Sequence, residues 1–141
     1  MTDRPAPADV LPHRPPFLFL DEVTALVPGE RAAGRWTPGS DVPIVDVGRG
    51  PQVPAPLVVE AIAQLGAYGA MVAFPESGLP LFARLDEATF DRPVRPGATV
   101  DLVVDVDRLH RRGGRGSGRA TVDGSLVATT RLGFVFVPDP R

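Results

Sequence analysis

Pro54-Ala55-Pro56-Leu57-Val58-Val59-Glu60-Ala61-Ile62-Ala63-Gln64-Leu65-Gly66-Ala67-Tyr68-Gly69-Ala70-Met71-Val72-Ala73-Phe74 is a run of mostly good helix formers that begins on two prolines and stops at Pro75 and Gly78. Proline is tolerated in a first helical turn, where its missing N–H would have no intrahelical partner, and it ends a helix elsewhere. One long helix over residues 54–74 is therefore predicted. Apolar side chains occur on every side of it, so it is predicted to be buried all round. Its most apolar part, Ala61 to Phe74, is too short for a bilayer and is interrupted by Gln64, so no membrane span is expected.

The flanking segments have the other period. Phe17 to Val27 is rich in aromatic and β-branched residues and is closed by Pro28-Gly29, a pair suited to a type II turn, after which Arg31 to Thr37 can return as the second arm of a hairpin. Residues 38–54 carry Pro, Gly, Asp and Ser without sustained period, the mark of a long loop. Beyond the helix, strands are predicted over Pro80 to Phe90, Ala98 to His110, Arg115 to Asp123 and Ser125 to Val137. Val100, Leu102, Val104 and Val106 alternate with Asp101, Asp105 and Asp107, as in a half-buried antiparallel strand, and Asp123-Gly124 is a hairpin signal. A buried helix and six mainly half-buried strands are both satisfied by an α+β architecture in which one antiparallel sheet wraps the helix. A single domain over residues 1–141 is expected, with residues 1–10 as a loose N-terminal arm.

Composition excludes several chemistries. There is no cysteine, which removes thiolate nucleophiles, disulfides and cysteine-based metal sites. All 15 basic residues are arginine, so a Schiff-base lysine is excluded as well. Two scattered histidines do not make a metal site, and no cofactor is implied. A net charge of −2 gives no extended nucleic-acid surface, and a hydrophobic share of 43% is that of a globular chain. The polar, proline-containing stretch Met1 to Val10 lacks the apolar core of a signal peptide, so a cytoplasmic protein is expected.

Glu60 is the one formal charge between Pro54 and Phe74. A carboxyl removed from water is costly unless paired, hydrogen-bonded or functional, and one that holds its proton more tightly suits general acid/base work. A buried glutamate satisfied by neighbouring amides is the alternative. Gln64, one turn further on the same face, is placed to orient Glu60 or to touch a ligand. The arginine- and glycine-rich run Arg108 to Arg119 lies between two strands and opens no helix, which argues against a phosphate cradle. A flexible hairpin tip explains its glycines, and exposed arginines there would suit an acidic carrier protein.

Three stretches carry a family resemblance. Leu11-Pro12-His13-Arg14-Pro15-Pro16-Phe17-Leu18-Phe19-Leu20-Asp21 resembles the opening of the FabZ-like β-hydroxyacyl-acyl-carrier-protein dehydratases. Pro54-Ala55-Pro56-Leu57-Val58-Val59-Glu60-Ala61-Ile62-Ala63-Gln64 resembles that family's helix start, and Leu85 to Gly97 is similar to the strand and turn that follow. The resemblance implies a hotdog fold, a dimer, an acyl thioester of acyl carrier protein or coenzyme A as substrate, and a place in fatty-acid or related acyl metabolism.

It also implies that Glu60 is half of an acid/base pair. The other half in such dehydratases is a histidine from the loop before the helix, at the subunit junction. The corresponding position here is Asp46 by its spacing from Glu60, or Gly48 if the loop is aligned on Pro43, and no histidine occurs in that loop. Glu60 and Asp46 are therefore the expected catalytic residues, with Pro54, Ala55, Pro56, Leu57 and Gln64 binding substrate. Backbone N–H groups at the helix start would polarise the thioester carbonyl. His13 falls in the opening motif and is expected to be structural, with replacement of the missing base as the alternative; His110, beside an Arg-Gly turn, is expected to be solvated. Dehydration is the first expected activity. Thioester hydrolysis by Glu60 and a non-catalytic acyl-binding subunit, partnered by a histidine-bearing homologue, are the alternatives.

Overall fold

The computed structural model describes residues 4–46 and 48–140. In chain order the elements are α1 (Pro7–Val10), β1 (Glu22–Val27), β2 (Arg31–Trp36), β3 (Val45–Asp46), β4 (Pro51–Gln52), α2 (Ala55–Ala73), a 3-10 turn (Pro75–Ser77), β5 (Leu79–Phe90), β6 (Val100–His110), β7 (Gly113–Val122) and β8 (Ser125–Val137). Six strands form one antiparallel sheet in the order β1-β2-β6-β7-β8-β5, and α2 packs against β2, β5, β6, β7 and β8. This is the hotdog arrangement of one long helix wrapped by a sheet. β3 and β4 form a separate two-stranded ribbon within the loop before α2, which the sequence left without structure.

The alternation in β6 is realised: Val100, Leu102 and Val104 are buried toward the helix. They join Trp36, Phe19, Leu20, Ile62, Leu65 and Tyr68 in one core, where the Phe19 and Trp36 rings lie 5.0 Å apart. At Asp123-Gly124 both residues have positive φ, 50° and 78°, as a tight hairpin with right-handed strand twist requires.

Four expectations change. The first strand begins at Glu22 rather than Phe17; the residues before it form an irregular segment laid along α2, with Leu11, Phe19 and Leu20 buried. The N-terminal arm is not loose from residue 4 onward, because Arg4 Nε donates to Val23 O at 3.0 Å and Tyr68 Oη donates to Pro5 O at 2.6 Å; residues 1–3 of that arm lie outside the described residues. Burial pushes the Tyr68 hydroxyl above its ordinary value, which keeps it a donor.

The helix, third, is not buried on every side. Val58, Val59, Ala61, Ile62, Gln64, Leu65, Tyr68 and Ala70 are buried, but Glu60, Ala63, Gly66, Ala67 and Met71 remain partly open. Because α2 reaches back to Ala55, its 19 residues at a mean hydropathy of 1.4 are long and apolar enough to cross a bilayer by length and composition. The length argument made on Ala61 to Phe74 therefore lapses; what marks α2 as a core helix is its packing across the sheet.

Fourth, the glycine run belongs mostly to a strand. The turn after β6 is only Arg111-Arg112, and Gly113, Gly114, Gly116 and Gly118 lie in β7. The reason is packing: a Cβ on Gly118 would stand 2.3 Å from Ile62 Cγ2. Gly118→Val is accordingly expected to destabilise the fold by about 1–3 kcal/mol through overpacking, seen as a lower urea midpoint with an unchanged slope.

Candidate active site

Glu60 sits in the second turn of α2 and is partly exposed. Counting along the helix, Glu60, Ala63, Gln64 and Ala67 share one face, and Ala63, Gly66 and Ala67 are too small to fill the space beside it. The result is a cavity of about 190 Å³ between α2, the start of β5 and β8, walled by Leu79, Pro80, Leu81, Phe82, Leu132 and Phe134, with Pro12, His13, Glu60 and Gln64 at its polar end. An apolar groove with a few polar groups at one end is the usual form of a small-molecule site.

Gln64 organises that end. It is 1% exposed, yet both amide hydrogens and the carbonyl oxygen are engaged. Oε1 accepts from Phe19 N at 2.7 Å, and Nε2 donates to Phe17 O at 2.9 Å and to Glu60 Oε1 at 3.1 Å. The amide thus fastens the Leu11–Asp21 segment to α2 and fixes the carboxylate in the same stroke. Of the two roles the sequence allowed Gln64, orienting Glu60 is the one with a hydrogen bond behind it, although the residue also lines the cavity.

His13 arrives with that segment. Its Nε2 lies 3.7 Å from Glu60 Oε1, with the two side chains 31% and 38% exposed, and its Nδ1 is buried without a hydrogen-bond partner. Glu60 is therefore not the fully desolvated carboxylate suggested by the apolar helix. It is a half-open group at a cavity mouth, held by an amide and adjoined by an imidazole.

The other expected site residues are placed elsewhere. Pro54 and Ala55 line a second, more open cavity of about 460 Å³ with Val58, Phe90, Arg92, Arg95 and Arg49. Pro56 is exposed, and Leu57 is partly buried against the core. Asp46 stands exposed on β3 and lines neither cavity; its Oδ1 accepts from Gly48 N at 2.9 Å, and its neighbour Val47 lies outside the described residues. Glu60 and Gln64 are brought together, whereas Asp46 is not brought to them within one chain. The other histidine, His110, ends β6 and its Nδ1 accepts from Arg112 N at 3.2 Å.

The proximity of His13 was not legible, since no regular spacing connects residue 13 with residue 60. The cavity wall from β5 and β8 was missed for the same reason. One signal was present: an uncharged but polar Gln64 in an apolar helix needs partners if buried, and those partners had to come from a distant segment.

Comparison with known proteins agrees with this architecture. Residues 11–131 match the family model described as the FabA-like domain. The 3-hydroxyacyl-(acyl-carrier-protein) dehydratase FabZ of Herpetosiphon aurantiacus is 41% identical over 133 residues, covering 91% of this chain and 93% of that protein. The protein of the same name from Bacillus subtilis is 36% identical over 138 residues, covering 95% and 97%. Among solved structures, the dehydratase heterocomplex ApeI:P from Xenorhabdus doucetiae contains a chain that superposes with a TM-score of 0.72 at 18% identity, covering 94% of this chain and 91% of that one. The E. coli PaaI protein superposes with a TM-score of 0.67 at 13% identity, covering 84% and 80%. These two structural likenesses bear on the fold alone.

Replacing Gln64 by leucine leaves the Phe19 N–H buried without an acceptor. Gln64→Leu is expected to cost about 1–3 kcal/mol, measured as a lower denaturant midpoint together with faster amide exchange at Phe19.

Proposed function

Because the chain belongs to the FabZ family of 3-hydroxyacyl-(acyl-carrier-protein) dehydratases, within the wider FabA-like family, we propose that it removes water from 3-hydroxyacyl thioesters with Glu60 as an acid/base residue. The observation that carries this reading is the position of the Glu60 carboxylate at the polar end of an apolar groove. The acyl tail lies against Ala63, Gly66, Ala67 and the β5 and β8 side chains, and the thioester end meets the carboxylate. Carrier protein and coenzyme A both present the same thioester, and an acidic carrier would find Arg111 and Arg112 exposed at the β6–β7 turn. A lyase of this kind works in the cytoplasm and needs neither metal nor cofactor.

The chemistry requires two proton movements. The thioester carbonyl acidifies the α-carbon, a base takes the α-proton, and an acid protonates the β-hydroxyl as the carbon–oxygen bond breaks and the double bond forms. Negative charge that builds on the carbonyl oxygen is stabilised at the N-terminus of α2, beside Pro54, Ala55, Pro56 and Leu57. Glu60 serves one of the two proton steps. Asp46, at the loop position where the resemblance puts the family's histidine, is a candidate for the other step if a second copy brings it in. Asp46→Asn checks it directly: a fall in kcat keeps Asp46 in the site, and an unchanged kcat removes it.

A homodimer is part of the proposal. β5 pairs with β8 on one side only, and along its 12 residues Leu81, Phe82, Leu85 and Phe90 are exposed. A long apolar edge strand of this kind pairs with another strand or aggregates. Leu85→Lys on that edge is expected to shift the protein from dimer to monomer in sedimentation velocity. Co-purification with a histidine-bearing homologue in place of self-association would instead mark the chain as one half of a heterodimer.

The activity is measured with purified protein and 3-hydroxyacyl thioesters of coenzyme A and of acyl carrier protein. Enoyl-thioester absorbance is expected to rise, and Glu60→Gln is expected to lower kcat roughly 100-fold or more. Release of free thiol without enoyl product would replace dehydration by thioester hydrolysis; no reaction with either carrier would overturn the dehydratase reading.

A further inference from the structure

We infer that His13 is the second acid/base group of this site and that it acts on the same substrate molecule as Glu60 of its own chain. The inference rests on the dehydratase reading above and deepens it, since the second proton step no longer has to be served by Asp46 of another copy.

Among the described residues, His13 and Glu60 are the only titratable side chains that line the 190 Å³ cavity. They are adjacent, Nε2 to Oε1 at 3.7 Å, but too far apart to be hydrogen-bonded to one another; Oε1 accepts from Gln64, and among the described residues His13 Nε2 and Glu60 Oε2 have no hydrogen-bond partner. The backbone that presents the imidazole is fixed on both sides. Leu11 is buried ahead of it, Arg14 Nη1 donates to Leu11 O at 2.8 Å and to His13 O at 2.7 Å, and Gln64 holds Phe17 and Phe19 beyond it. Nδ1 is buried without a partner, so Nε2 is the ring nitrogen through which a proton can be exchanged with the cavity. A histidine kept only for packing would turn its polar edge to a partner or to water; this one turns Nε2 to the carboxylate at the mouth of the groove.

The step balances between these two groups. Nε2 accepts the α-proton, the electron pair of that C–H bond becomes the second bond between Cα and Cβ, and the Cβ–O bond breaks. The hydroxyl leaves as water with the proton of the Glu60 carboxylic acid. The imidazolium and carboxylate so formed adjoin one another, and transfer of the proton from Nε2 to Oε1 restores the starting pair without any further reactant.

The test compares wild type, His13→Ala, His13→Gln and Glu60→Gln with one 3-hydroxyacyl thioester, and uses His110→Gln on the β6–β7 hairpin as the control. Both His13 variants are expected to lose roughly 100-fold or more in kcat with KM little changed, His110→Gln to retain full activity, and added imidazole to restore His13→Ala but not Glu60→Gln. An active wild type with His13→Gln at near-normal kcat overturns the inference alone. So does a kcat loss in His13→Ala that imidazole fails to restore, which assigns the ring to structure. A wild type inactive toward both carriers overturns the dehydratase reading and this inference with it.

Discussion

Ile62 and Gly118 meet so closely that no side chain can stand between them, and the position of α2 over the sheet follows from that contact. A helix with seven buried apolar residues along 19 packs into a sheet, and β7 comes this close where it omits a side chain. β7 does so at Gly118, while β6 supplies Val100, Leu102 and Val104 beneath the same helix. Beside that contact, toward β5 and β8, the flank of α2 has to be finished by something else. Part is covered by the N-terminal segment; the rest, where the helix carries Ala63, Gly66 and Ala67, is left as the groove. The cavity follows from the small helix residues beside β5 and β8.

Gln64 converts that geometry into a site. An amide buried in a helix face must have its donors and acceptor satisfied, and here the partners are two backbone groups of a segment more than forty residues earlier and the carboxylate one turn back. The same three bonds hold the segment down, limit the carboxylate to one orientation and set the His13 ring at the cavity mouth. A polar contact that reads at first as structural therefore decides which titratable groups become neighbours.

The outer face of the sheet obeys different physics. Arg31, Arg119 and Asp105, and Arg35 with Glu22 and Asp101, form exposed ion pairs across neighbouring strands. These two acidic partners hold the Arg35 guanidinium above its ordinary value, with Glu22 the larger cause. Solvent-accessible pairs of this kind add little to stability. They keep the convex surface polar, in contrast with the apolar edge of β5, so the surface distinguishes between a face that stays in water and an edge suited to a second strand.

The sequence by itself determined the long helix, the strand periodicity, the Asp123-Gly124 hairpin and the family, and it singled out Glu60 as the lone charge of that helix, because each is written in local pattern or in contiguous motifs. Periods of two and about 3.6 residues, prolines at a helix start and turn dipeptides act over a few residues and survive without knowledge of the fold. Tertiary structure alone decided that the glycines after Arg112 belong to a strand, that residues 4–10 are tied down, that Glu60 is half open rather than sealed away, and that His13 lies beside it while Asp46 does not. Those are consequences of which surfaces touch. Gly118 is explained only by Ile62, and the imidazole reaches the carboxylate only because Gln64 needed backbone partners from the segment that carries His13.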